Sequence, residues 1–85
     1  MELINISLIK NLGFIYQFTI THPLSKKLCN IYHNKTSTIF YSIIEIEDYI
    51  FILYRGMNNE PGPVLYKGYI EDINKLKIVL KQLGI

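Results

Sequence analysis

The stretch at 38–55, TIFYSIIEIEDYIFILYR, limits the possible folds more than any other part of the chain. It is filled with β-branched and aromatic residues, the types that suit a pleated, half-buried surface. Glu47 and Asp48 divide it into two runs of strand length, which predicts a hairpin with a tight acidic turn. On the first strand Ile39, Tyr41 and Ile43 share one side, and Phe40, Ser42, Ile44 and Ile46 share the other. On the second, Ile50, Ile52 and Tyr54 oppose Tyr49, Phe51, Leu53 and Arg55. Neither strand has a wholly polar side, and strands of that kind are expected to be covered on both faces.

The flanks read as partners and covers for this hairpin. Residues 3–12 place Ile4, Leu8, Ile9 and Leu12 near helical spacing, and Gly13 follows as a stop. The same ending recurs at the other end of the chain, where Leu80-Lys81-Gln82-Leu83-Gly84-Ile85 parallels Ile9-Lys10-Asn11-Leu12-Gly13-Phe14. Residues 14–21 alternate, with Phe14, Tyr16, Phe18 and Ile20 on one side and Ile15, Gln17, Thr19 and Thr21 on the other. His22-Pro23 ends that strand. Residues 23–33 read two ways. Leu24, Leu28, Ile31 and Tyr32 sit at helical spacing, but the polar Lys35-Thr36-Ser37 leading into an obvious strand favours a hairpin, and we take 28–34 as strand. The segment 56–63, GMNNEPGP, reads as a loop. The run at 64–70 reads as a short strand, with Pro63 and Gly68 pointing to an edge or a bulge. Residues 71–83 read as a helix with Asp72 as N-cap and an apolar stripe of Ile73, Leu76, Leu80 and Leu83. The expected architecture is α+β: a small antiparallel meander of about five strands, flanked by an N-terminal and a C-terminal helix in one domain, 1–85.

Bulk composition narrows the function classes. A net charge of +2 is too small by itself to imply nucleic acid or an anionic membrane. Cys29 is the sole cysteine, so no internal disulfide can form, which fits a reducing interior. No stretch reaches the ~18–20 apolar residues that span a bilayer, and no basic start leads into an apolar run. The expected location is cytoplasmic. Abundant Ile, Lys, Asn and Tyr, no Ala or Trp, and Arg55 as the only arginine indicate a low-GC genome.

Catalytic chemistry has little to stand on. His22, Cys29 and His33 are the only soft metal ligands, and with Glu60 as a fourth they fit no zinc spacing. On a strand Cys29 and His33 point the same way but lie ~13 Å apart; on a helix they would lie one turn apart. Glu45, Glu47 and Asp48 read as solvated carboxylates at a turn. No phosphate-cradling loop, nucleotide fingerprint or serine elbow is present. We expect no enzyme, cofactor or metal. Single-stranded nucleic acid is an alternative partner, through Lys26, Lys27 and Lys35 with Tyr32, Tyr41, Tyr54, Tyr66 and Tyr69, although near-absence of Arg argues against it.

The preferred reading is a protein-interaction module, because two short helices can roof only one face of a five-stranded sheet if they pack on the same side. Apolar side chains on the reverse face would then stay wet, and large exposed apolar patches mark association sites. The candidate contact residues are Tyr32, Tyr41, Tyr54, Arg55, Asn58, Asn59, Glu60 and Tyr66, rich in the tyrosine and arginine that interfaces favour. A homodimer is expected.

The closing pattern Leu65-Tyr66-Lys67-Gly68-Tyr69-Ile70-Glu71-Asp72-Ile73, with Leu76-Lys77 and the ending at 80–85, resembles short uncharacterised proteins of phages and mobile elements in low-GC bacteria. Leu12-Gly13-Phe14 is similar to theirs as well. The resemblance covers about a third of the chain and assigns no residue a role. It implies a host protein as partner, occupied by a small inhibitor of a bacterial defence system, anti-CRISPR in kind.

Overall fold

The computed structural model describes residues 2–36, 39–58 and 60–85. Its elements run α1 (Ile6–Asn11), β1 (Ile15–Thr21), β2 (Leu28–Thr36), β3 (Ile39–Ile46), β4 (Ile50–Met57), β5 (Glu60–Tyr69) and α2 (Ile73–Gln82). The strands form a single antiparallel sheet in sequence order. The fold is α+β, and the ambiguous segment at 28–34 is strand. Ser37 and Thr38, where the first turn and the start of β3 were expected, lie outside the described residues.

The central hairpin closes as its sequence requires. Ile46 pairs with Ile50 across Glu47, Asp48 and Tyr49. Asp48 and Tyr49 both take left-handed backbone, at φ 66° and 63°. An aspartate tolerates that region through local hydrogen bonding; a tyrosine there is uncommon.

Both helices stop by the chemistry expected of them. Gly13 and Gly84 sit at φ 92° and 78°. At the end of α2 the Gly84 and Ile85 amides donate to the Lys81 and Leu80 carbonyls, a Schellman closure that brings Ile85 against the core. Asp72 caps α2 through its side chain, which accepts from the Asn74 amide at 3.0 Å. α1 is shorter than its apolar spacing suggested. Asn5 is its N-cap, accepting from Leu8, so Ile4 lies before the helix. Ile4 and Ile9 then occupy the two positions of a hydrophobic staple, and both are buried.

Three expectations need correction. The segment 56–63 is not an open loop: β4 runs to Met57 and β5 begins at Glu60, with Gly56 opposite Pro61. Pro61 and Pro63 fit there because β5 is an edge strand, where missing donors cost nothing on the solvent side. Residue 70 has left the sheet and β5 ends at Tyr69. In β1 the register shifts between Tyr16 and Phe18. The extra residue reverses the alternation. Phe18 and Ile20 therefore share a face with Ile15, while Tyr16 shares the opposite face with the core.

The main core cluster lies on one side of the sheet. Register places Tyr16, Tyr32, Ile43, Leu53 and Tyr66 in one row across all five strands. Tyr32, Ile43, Phe51 and Leu53 pack in one cluster with Ile9 of α1 and with Ile73, Leu76, Val79 and Leu80 of α2. The two helices are laced together at their starts, where the Ile4 amide donates to Glu71 and the Ile73 amide to Glu2. Both therefore cover the same face. The 20 Å short dimension of the protomer fits two layers ~10 Å apart.

Candidate interaction surface

The reverse face is built from the residues that alternate away from the core. Three cross-strand rows define it. One holds Ile20, Cys29, Ile46, Ile50 and Tyr69; the next holds Phe18, Ile31, Ile44, Ile52 and Lys67; the third holds Ile15, His33, Ser42, Tyr54 and Val64. Among the described residues no helix crosses it. Its outer strands are open to solvent: Ile15 is 66% exposed, Phe18 50%, Ile20 46% and Val64 60%. On the inner strands Ile44, Ile46, Ile50, Ile52 and Tyr54 are half-buried, and Cys29 and Ile31 are buried.

At one end of this face three rings form a canopy. Phe40 lies 5.8 Å from His33 and meets Tyr54 edge-on at 6.3 Å, centroid to centroid. Ser42 lies between His33 and Tyr54 and is buried, with no hydrogen-bond partner for its Oγ among the described residues. The Phe40 ring covers Gly56, where any Cβ would overlap it. A glycine is required here by close approach.

The face is electrically quiet. Among the described side chains Lys67, on edge strand β5, is its only permanent charge. Burial lowers the His33 pKa from the usual imidazole value, so His33 is neutral at pH 7. Cys29 is buried in the same face, its thiol near the Lys27 carbonyl.

On the helical side a polar chain borders the apolar packing. Tyr16 and Thr19 hydroxyls meet, Thr19 donates to Asn30 Oδ1 at 2.6 Å, and Asn30 Nδ2 donates to Glu45 Oε1 at 3.1 Å. Tyr32 donates to the same Glu45 oxygen at 3.3 Å. Burial, reinforced by Glu45, pushes the Tyr32 phenol well above its usual range, so it remains a donor. The Glu47 carboxylate accepts from the Leu28 amide at 2.9 Å, and Asp48 lies 3.5 Å from Lys27 Nζ. These acids border a shallow cleft of about 350 Å³ and serve the structure around it.

The expected contact residues are spread over the molecule. Tyr32 is fully buried in the core, and Tyr41 and Tyr66 are half-buried against it on the helical side. Arg55 is exposed on that same side, opposite Tyr41. Asn58 and Glu60 are exposed at the β4–β5 turn, and Asn59 lies outside the described residues. Among the described ones, only Tyr54 belongs to the open face. The residues that do form it, Phe18, Ile31, Ile44 and Ile52 above all, were visible only as alternation partners. Pairing Ile46 with Ile50 across the acidic turn and counting outward would have aligned β3 with β4. The bulge in β1 carries no comparable signal. The chain matches no family model, no curated protein and no solved structure.

Proposed function

We propose that the protein is a non-enzymatic interaction module that binds protein through the open face of its sheet. One observation carries the reading: both helices pack on one side, and the other side carries exposed Ile, Phe, Val and Tyr on its outer strands and half-buried Ile and Tyr on its inner ones. Apolar surface of that extent favours association at roughly 25 cal/mol per Å² removed from water. On that face a single peripheral lysine among the described side chains gives little for a phosphate backbone to contact, and Tyr32 is committed to the core. Those two facts favour protein over single-stranded nucleic acid. Within this reading the chain acts by occupying its partner, as a phage-type inhibitor of a host defence protein does, inside the cytoplasm and as a homodimer.

The test is retention of proteins from a low-GC bacterial lysate on immobilised protein. Wild type and Ile78→Lys, altered on the solvent side of α2, should retain the same partner, whereas Ile44→Lys should lose it. Equal retention by all three would place binding elsewhere and end this reading of the open face.

A further inference from the structure

We propose that the open face is covered by the same face of a second copy of this chain, the two sheets packing as a sandwich about a two-fold axis. The inference rests on reading that face as an association surface and names its occupant when no partner is bound, a second copy that the partner displaces.

Area is the first argument. Five strands ~4.8 Å apart and about eight residues long at ~3.3 Å each give a patch of roughly 600 Å². Side-chain relief brings this near the ~800 Å² that each partner contributes to a standard stable interface. A second copy offers an apolar surface of identical size and outline.

Charge is the second. A two-fold operation sets equivalent groups near one another, so a central charge would repel its own image. Lys67 lies at the margin on β5, and the central strand β3 presents Phe40, Ser42, Ile44 and Ile46. An axis near Ile44 buries Ile44 and Ile52 against their equivalents, beside Ile31, which is already buried in the protomer. Sheets so packed stand ~10 Å apart with strands ~30° from parallel. The canopy of His33, Phe40 and Tyr54 joins the buried area.

Edge-to-edge pairing, the rival route, is closed. Pairing through sheet edges needs a regular row of free backbone donors. Pro61 and Pro63 delete two from β5, and the register shift after Tyr16 disrupts β1. Both edges are blunted and the face is not.

Sedimentation equilibrium from about 1 to about 100 µM, spanning the range of ordinary association constants, tests this. Wild type should pass from the 10.0 kDa protomer to twice that mass. Phe18→Lys and Ile44→Lys should each raise the dissociation constant at least ~100-fold, as expected for a buried anchor made charged. Ile78→Lys, 57% exposed on α2, should associate as wild type does. Phe18 is half in solvent, so its replacement is tolerated by the fold even if that of Ile44 is not; circular dichroism checks both. A wild-type protomer mass throughout, or a dimer that both variants leave intact, overturns the proposal. If wild type is monomeric yet Ile44→Lys alone loses a lysate protein, the occupant is foreign and the association reading stands. If that loss is missing too, both fall.

Discussion

Ile43 and Ile44 are adjacent on the central strand and differ in almost nothing except the face they take. Ile43 is fully buried beneath the helices, between Tyr32 and Leu53; Ile44 is half-buried on the open side, between Ile31 and Ile52. Replacing each by alanine changes strand propensity identically, a contribution within the ~1 kcal/mol span of the β scale. At Ile43 the lost transfer energy and the cavity left behind add to it, for a total of about 3–4 kcal/mol. At Ile44 no cavity is enclosed and part of the side chain was already wet, so the total is about 1 kcal/mol in the protomer. Urea unfolding in dilute protein reads the difference. With a slope near ~1.5 kcal/mol/M, the midpoint should fall by about 2 M for Ile43→Ala and by less than ~1 M for Ile44→Ala. A chain of this size has only about 4–13 kcal/mol in total. Ile43→Val, expected to cost about 1 kcal/mol, therefore supplies a graded second point. Raising the protein concentration should enlarge the Ile44→Ala effect and leave the Ile43→Ala effect unchanged, because only the first touches the dimer. Equal midpoint shifts in dilute protein would mean that both sides of the sheet are sealed within one protomer, and the reasoning would fail.

Other consequences follow from individual residues. His33 holds a lowered pKa in the folded state, so the unfolded chain binds more protons as pH falls through the ordinary imidazole range near ~6.5. Its contribution to stability is complete above that value and is lost below it; His33→Gln should flatten the slope of midpoint against pH there. Asp72→Ala removes the side-chain cap of α2 and should cost about 1 kcal/mol in the same urea assay, with Asp72→Asn recovering most of it. Gly84→Ala places a side chain in left-handed backbone with open space around it, so its cost of about 1 kcal/mol is conformational, with no clash.

Local rules made several elements legible from sequence. The acidic turn fixed the central hairpin, two glycines ended both helices, and Asp72 began the second. Each is decided by a few neighbouring residues. What escaped is non-local. The register shift after Tyr16 flips Phe18 to the other face without any breaker in the sequence. Pro61 and Pro63 read as a loop because a proline says only that a donor is missing; whether that donor was needed depends on β5 lying at the edge. Tyr32 resembled an exposed contact residue, yet its ring fills the core and its hydroxyl reaches Glu45, thirteen residues away. The side taken by each helix was undecided in sequence. The backbone links between the segment before α1 and the start of α2 put the two on the same side.

Solvent exposure of the isoleucine methyl groups bears most directly on the central claim. In dilute protein labelled at isoleucine δ-methyls, a soluble paramagnetic agent should broaden Ile15, Ile20, Ile44 and Ile52 and spare Ile9, Ile43, Ile70 and Ile73. Comparable protection of Ile44, Ile52 and Ile43 in a sample that sediments as the protomer would show a roofed sheet and contradict the account.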